Sequence, residues 1–226
     1  MAQPTHDKLP LKETLRQIPS LKAPLPALDL SSMPATPHEA FALWLESALA
    51  AGVREPHAMT LSTVDKHGWP DARVLILKNV DARGWHFAIK GDSPKALQID
   101  VQPNVALTFY WTALGRQIRL RGEAVVLPAE ECAEDFLDRP LGSRATAIAS
   151  QQSEILDNEE ALVQRLADAR AFLETHPAHV EPGWRVYCVA PTVVEFWQGS
   201  PDRDHKRWCY TATRDGTAWT AARLWP

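Results

Sequence analysis

The sequence has few glycines and cysteines, and it has no long apolar run. Ten glycines occur in 226 residues. None of them belongs to a GxGxxG turn, a lysine-containing phosphate loop or a GxSxG nucleophile elbow, and the zinc-binding HExxH pattern is also missing. A phosphate-bearing ligand would therefore have to be held by side chains rather than by a glycine-rich loop at a helix start.

The three cysteines, Cys132, Cys188 and Cys209, are far apart, odd in number and without a CxxC pair. This pattern indicates neither a zinc site nor a disulfide framework. The first residues contain no apolar core of a secretory signal, and no run approaches the length of a membrane span. We therefore expect a soluble, cytoplasmic protein that uses no metal and does not act at a membrane.

The charge and composition are those of an ordinary globular protein. The net charge is −4, with 45% hydrophobic and 23% charged residues. An overall negative field does not favour a nucleic-acid partner. Residues 1–35 are proline-rich and contain one short helical pattern at 12–18, so we interpret them as an extended arm that is disordered alone or lies across a partner. Residues 36–226 contain no repeat or linker and are expected to form one domain.

Hydrophobic periodicity predicts a mixed α+β fold. The first helix is expected at 37–51, with a capping box of Thr36 and Glu39 and a stop at Gly52. Further helices are predicted at 94–101 with Ser93 as N-cap, at 129–138, at 144–150, and at 158–175 with Asp157 as N-cap.

Between the predicted helices, apolar residues recur at every second position. Strands are predicted at 57–64, 71–80, 85–89, 104–111 and 117–127, and again at 184–189, 192–197, 207–211 and 218–222. The last two should form a hairpin around 214–216. Five amphipathic strands at the first spacing predict a closed or nearly closed antiparallel barrel with peripheral helices.

Cationic and amide side chains recur along these elements. Arg73 and Lys78 flank an apolar strand on opposite faces, so a bulge must intervene if both reach one ligand. Lys95 lies in the first turn of a helix, where a cation opposes the helix dipole unless a phosphate binds there. Gln117 shares one strand face with two arginines, and Gln152 and Ser153 lie between two helices. Each alone is more often a plain exposed residue.

Two further cationic groups admit two interpretations each. Arg139 and Ser143 form either a second phosphate site or a helix C-terminus with its dipole-compensating cation. Arg203, His205 and Arg207 share one face if their segment is extended. They then form either a charged edge strand or an anion-binding wall beside the flat side chain of Trp197.

Taken in order, these motifs resemble the pyridoxine/pyridoxamine 5′-phosphate oxidases and the related flavin oxidases of phenazine biosynthesis. The resemblance extends from about residue 37 to residue 226. It is carried by the segments 54–59, 73–78, 116–117, 139–140, 150–153, 195–199 and 223–226, together with Ser93, Lys95, Arg203, His205 and Arg207.

The resemblance implies an FMN-binding split β-barrel that works as a homodimer, with the flavin at the subunit interface and a dimerisation region at about 184–226. The implied FMN-binding residues are Arg73, Val74, Leu75, Ile76, Leu77, Lys78, Ala88, Ile89, Lys95, Gln117, Gln152, Ser153, Trp197 and Arg207. The implied substrate-binding residues are Lys78, Arg139, Ser143, Arg203 and His205, of which Arg203 and His205 are the catalytic pair.

The implied reaction oxidises pyridoxamine or pyridoxine 5′-phosphate to pyridoxal 5′-phosphate, with O2 as acceptor and H2O2 as product. Two alternatives are an oxidase of a phenazine-like tricyclic or other secondary metabolite, and a non-catalytic FMN-binding protein.

Several positions depart from the vitamin B6 enzymes. Ala88-Ile89 replaces a Tyr-Thr pair, and Pro94 replaces a basic residue. Leu141-Gly142 lacks a polar pair, and a basic Arg-Arg-Glu-Tyr arm is missing. Asp135 replaces a tyrosine at the substrate phosphate, which an anion would repel.

Overall fold

A computed structural model describes residues 10–22 and 24–226, and within them eight antiparallel strands form one sheet. The strands are β1 (Ala58–Val64), β2 (Pro70–Asp81), β3 (Gly84–Lys90), β4 (Asn104–Trp111), β5 (Arg116–Val126), β6 (Trp184–Gln198), β7 (Lys206–Ala212) and β8 (Trp219–Leu224). Their order is β3-β2-β1-β4-β5-β6-β7-β8, and β3 also pairs with β6. This pairing closes the first six strands into a barrel, and β7 and β8 extend the sheet beyond it. The predicted α+β class with an antiparallel barrel is confirmed.

The described helices are α1 (Leu11–Gln17), α2 (Pro37–Ala50), α3 (Pro94–Val101), α4 (Ala129–Leu137), α5 (Leu141–Ala149) and α6 (Glu159–Thr175). Helix α2 buries its apolar face in the barrel core. The rings of Phe41 and Phe109 are 5.0 Å apart, as are those of Trp44 and Phe196. Large aromatic side chains thus fill the interior of the barrel.

Helix ends differ in detail from the prediction. The hydroxyl of Thr36 donates to the Glu39 carboxylate at 2.6 Å rather than accepting from the backbone. The hydroxyl of Ser93 donates to the carbonyl of Lys90, so Ser93 does not cap α3 with its side chain. Asn158, not Asp157, caps α6, because its Oδ1 accepts the backbone N–H groups of Glu160 and Ala161. Helix α5 begins at residue 141 rather than 144.

The strands predicted at 184–189 and 192–197 are one continuous strand of 15 residues, so the predicted break is wrong. Pro191 lies beyond the last residue paired with β3 and before the first paired with β7. It therefore has a partner strand on one side alone, where β5 shifts its register between Arg121 and Gly122. A proline is tolerated at such an edge position opposite a bulge.

Part of the proline-rich arm lies against the barrel. The hydroxyl of Tyr210 donates to the carbonyl of Pro34 at 2.7 Å, and Leu28 and Met33 pack against the core. The short predicted helix is present as α1. Residues 1–9 and Ala23 of the predicted arm lie outside the described residues, and the division of the chain at residue 35 stays a prediction.

Candidate functional site

A crevice with a volume of about 630 Å³ opens between strands β2 and β3, the start of α3, and helices α4 and α5. The predicted site residues that line it are Leu75, Ile76, Lys78, Ala88, Ile89, Lys95, Arg139, Ser143 and Gln152. Chain segments from residue 75 to residue 152 therefore converge on one cavity, whose wall combines apolar strand residues with cations and an amide.

Lys78 lines the crevice and lies at a bulge of β2. The pairing of β2 with β3 shifts from Leu77 opposite Phe87 to Asn79 opposite His86. A bulge is therefore present at Lys78, but the prediction made it necessary only if Arg73 and Lys78 reach one ligand. Arg73, by contrast, is not among the lining residues. Its guanidinium donates to the Thr63 hydroxyl at 2.6 Å and forms an ion pair with Asp71.

Lys95 is a nearly buried cation with 6% of its surface exposed. Its Nζ donates to Oε1 of Gln152 at 2.9 Å, and among the described residues no carboxylate oxygen lies within 4.0 Å of it. Burial, and secondarily the charge of Arg73, lowers the pKa of Lys95. A buried ammonium paired with an amide alone is costly, and an anionic ligand would offset that cost.

A second group of charges lines the crevice on α4 and the start of β6. Nζ of Lys78 lies 3.3 Å from Oδ1 of Asp135, and Oδ2 of Asp135 accepts the indole N–H of Trp184 at 2.8 Å. The guanidinium of Arg139 lies over the Trp184 ring at 4.2 Å and donates to the carbonyl of Ser143. Burial lowers the pKa of Arg139, and its Nε is buried without a partner among the described residues.

Three of the remaining predicted cofactor residues lie elsewhere on the sheet. Gln117, Trp197 and Arg207 are directly paired across β5, β6 and β7. None of the three lines the crevice of its own chain. Beside this row, Glu195 accepts from Nε of Arg207 at 2.8 Å and from Arg119 at 2.6 Å.

Glu195 binds one member of this row, Arg207, and the neighbouring Arg119. Its side chain is 4% exposed, and burial opposes its ionisation, but the hydrogen bonds from Arg207 and Arg119 outweigh burial and lower its pKa. The hydrogen bond to Glu195 likewise raises the pKa of Arg207. The carboxylate thus fixes the direction of two arginines on the same sheet face.

The segment of Arg203, His205 and Arg207 is not extended, so the condition under which the three would share one face is not met. Arg203 has φ of 66° in a turn, and β7 begins at residue 206. The turn folds back so that the His205 ring lies 4.8 Å from the Trp197 ring. Nδ1 of His205 accepts the backbone N–H of Ser200 at 3.1 Å, which leaves the ring proton on Nε2.

Two family models together match most of the chain. The model described as pyridoxamine 5′-phosphate oxidase matches residues 45–177, and the model of the pyridoxine 5′-phosphate oxidase C-terminal dimerisation region matches residues 184–226. The chain belongs to the pyridoxamine 5′-phosphate oxidase family. The resemblance stated from the sequence is confirmed.

Similar proteins of the family include two named pyridoxine/pyridoxamine 5′-phosphate oxidase. The protein from Thermosynechococcus vestitus is 44% identical over 84% of this chain and 89% of its own length. The protein from Paraburkholderia phymatum is 39% identical over 89% of this chain and 94% of its own length.

Among solved structures, PhzG from Burkholderia lata 383 is similar with a TM-score of 0.82 and 30% identity over 90% of this chain and all of that chain. That structure is described as a complex with tetrahydrophenazine-1-carboxylic acid. An FMN-binding protein of Nostoc punctiforme, 18% identical over 86% of this chain and all of that chain with a TM-score of 0.69, shares the fold.

The structure adds lining residues of this family member that the sequence did not single out as ligands. Lys90, Asp138, Thr146 and Trp184 face the crevice, and Nζ of Lys90 donates to the carbonyl of Ser150 at 2.7 Å. Trp184 is one of nine tryptophans, and nothing in its local pattern marks it for a site. Its position in the crevice depends on the packing of α4 beside β6.

Two negative findings apply to residues 10–22 and 24–226. No helix there is long and apolar enough to cross a membrane. The same residues contain no group of three or more His, Cys, Asp or Glu side chains arranged to hold a metal ion.

Proposed function

We propose that this chain is an FMN-dependent oxidase that converts pyridoxamine or pyridoxine 5′-phosphate to pyridoxal 5′-phosphate, with O2 as acceptor and H2O2 as product. The observation that carries the proposal is the crevice, in which Lys95 is buried without a carboxylate partner among the described residues while Lys78 and Arg139 supply further cations. Two phosphates, one of FMN and one of substrate, suit such a wall. Relatives at 38–44% identity carry the name of this activity.

The residues present fit FMN. Lys95 and Gln152 are positioned to hold its phosphate, with Arg73 as a nearby second cation and Ser153 next in the chain. Leu75, Ile76, Ala88 and Ile89 give an apolar wall for a flat ring, while Val74 and Leu77 complete the strand. When bound, FMN supplies the two-electron redox chemistry that the protein's side chains lack.

We infer that the active form is a homodimer. The matched C-terminal region supports dimerisation. The outer sheet face exposes apolar side chains, with Val74 67% and Tyr110 57% exposed, beside the row of Gln117, Trp197 and Arg207. A two-fold partner laid on this face would bring its own row to the crevice. Each flavin site would then consist of a crevice from one protomer and a row from the other.

The substrate side would consist of Lys78, Arg139 and Ser143 from the crevice, with Arg203 and His205 from the turn before β7. Because Nδ1 of His205 accepts from Ser200, its Nε2–H is the remaining donor of the ring. We assign this N–H as a hydrogen-bond donor to the C4′ heteroatom of the substrate, which it orients for oxidation. Arg203 orients the same end of the substrate.

A second candidate is oxidation of a tricyclic carboxylate. The observation that favours it is the carboxylate of Asp135 beside Lys78, which opposes a phosphate, together with the similarity to PhzG. A third candidate, storage or sensing of FMN without turnover, predicts that no substrate reduces the bound flavin.

The test is anaerobic addition of pyridoxamine 5′-phosphate or pyridoxine 5′-phosphate to FMN-loaded protein, followed by admission of O2. We expect the flavin absorbance to bleach and then to return with release of H2O2. A flavin that stays oxidised with both compounds contradicts the proposal. Bleaching by a dihydrophenazine carboxylate alone would establish the second candidate instead.

A further inference from the structure

We propose that Asp135 determines substrate selectivity in the crevice. Its carboxylate holds Lys78 in an internal ion pair and thereby weakens the crevice for a phosphate dianion, relative to an uncharged or singly charged aromatic substrate. The inference rests on the proposed function, because it concerns the substrate side of the same cavity.

The position of Asp135 is fixed by two contacts. One carboxylate oxygen lies 3.3 Å from Nζ of Lys78, and the other accepts the indole N–H of Trp184 at 2.8 Å. Both side chains of the ion pair are largely shielded from solvent, at 18% exposure for Asp135 and 30% for Lys78. An ion pair in such a position is screened less than one on the open surface.

Four cations and two carboxylates line the crevice: Lys78, Lys90, Lys95 and Arg139, with Asp135 and Asp138. Of the two carboxylates, Asp135 is the one that forms an ion pair with Lys78. A phosphate dianion that reaches Lys78 must displace or approach the Asp135 carboxylate, and the repulsion grows with the charge of the ligand. The Asp135 carboxylate repels a singly charged ligand carboxylate less than a phosphate dianion, and it does not repel an uncharged hydroxymethyl group.

Trp184 contacts both Asp135 and Arg139. Its N–H binds Asp135, and its ring face lies beneath the guanidinium of Arg139 at 4.2 Å. Removing the Asp135 side chain would therefore also free the indole and disturb Arg139. The substitution Asp135→Asn avoids this, because the amide oxygen still accepts from Trp184 while the negative charge is lost.

The experiment compares wild type, D135N and D138N as FMN-loaded proteins. Calorimetry measures the Kd of pyridoxal 5′-phosphate, of pyridoxal and of inorganic phosphate, and steady-state assays measure KM for pyridoxamine 5′-phosphate and pyridoxamine. In D135N we expect the preference for the phosphorylated ligand to rise about tenfold and inorganic phosphate to bind more tightly. D138N removes a carboxylate that lines the same crevice but makes no ion pair with Lys78, and it should change the preference clearly less.

An unchanged or reduced phosphate preference in D135N would overturn the inference, and so would an equal change in D138N. The binding measurements need no turnover. A wild-type protein that oxidises neither vitamer would contradict the proposed function, while the phosphate affinities of the three proteins would still decide the role of Asp135.

Discussion

Nε of Arg207 donates to Oε1 of Glu195 at 2.8 Å across the neighbouring strands β6 and β7. Arg119, on the other side of β6, donates to the second oxygen of the same carboxylate. One buried anion thus orders two arginines on the outer sheet face, beside Trp197. Because Arg207 is a proposed flavin ligand, Glu195 acts as its positioning residue.

The substitution Glu195→Gln should destabilise the protein at neutral pH by roughly 1–3 kcal/mol, since it leaves two arginines without their shared anion. The folded-state pKa of Glu195 lies below its ordinary value of 4.5. The stabilisation is therefore complete above about pH 4.5 and is lost as pH falls through the folded-state pKa. The melting temperatures of wild type and E195Q should differ at pH 7, and this gap should close as the pH falls to 3. A gap independent of pH would contradict this account, and E123Q on β5 serves as the control.

Lys95→Met should weaken FMN binding by about 10–100-fold while riboflavin binding changes much less, because the lost ammonium would contact the phosphate. Flavin fluorescence titration measures both Kd values. K90M is the matched control, since Nζ of Lys90 lines the same crevice but is held by the Ser150 carbonyl. Equal loss of FMN and riboflavin affinity in K95M would show that Lys95 does not recognise the phosphate.

Arg203→Ala should lower kcat/KM far more than it lowers FMN affinity. Arg207→Ala should lower FMN affinity more than it lowers turnover of the FMN-loaded protein. The reason is their placement: Arg203 lies in the turn before β7, while Arg207 is paired directly with Trp197. Parallel measurement of turnover and flavin Kd separates the two effects. Proportional losses in both variants would argue against separate substrate and cofactor roles.

Gly122→Ala should destabilise the barrel by about 1–3 kcal/mol. A Cβ at this position would lie 2.0 Å from the carbonyl oxygen of Ala190 and 2.7 Å from Cα of Pro191. Chemical denaturation measures the loss. Gly142→Ala is the control, because a Cβ there meets nothing within 4 Å and alanine favours the helix. Equal stability of the two variants would contradict the close approach of β5 and β6.

Local rules predicted most elements. A bulge between Arg73 and Lys78 was predicted on the condition that both reach one ligand; β2 bulges at Lys78, but Arg73 does not line the crevice. The rules failed where contacts between elements distant in sequence determine the backbone conformation. The sequence around Pro191 predicted a strand break. Strand β6 nevertheless continues, because Pro191 has a partner strand on one side alone. The left-handed φ of Arg203 left no signal in the alternation.

The site was harder to predict than the fold. The family pattern identified its candidate residues but not their distribution, in which one group lines the crevice and another lies on the outer face of β5 to β7. The pair of Lys78 and Asp135 joins residues far apart in sequence, and its geometry depends on how α4 packs beside β6. Sequence spacing carries no information of that kind.

Mixed dimers show whether each flavin site combines the crevice of one protomer with the row of the other. K95A and R207A proteins, each expected to retain little FMN, are co-expressed with different affinity tags, and doubly tagged dimers are isolated. One site of each mixed dimer then carries both substitutions, while the other carries neither. The account predicts that mixed dimers bind FMN with wild-type affinity at about half of their sites. Mixed dimers that bind no better than either parent would contradict it, because Lys95 and Arg207 would then serve the same chain.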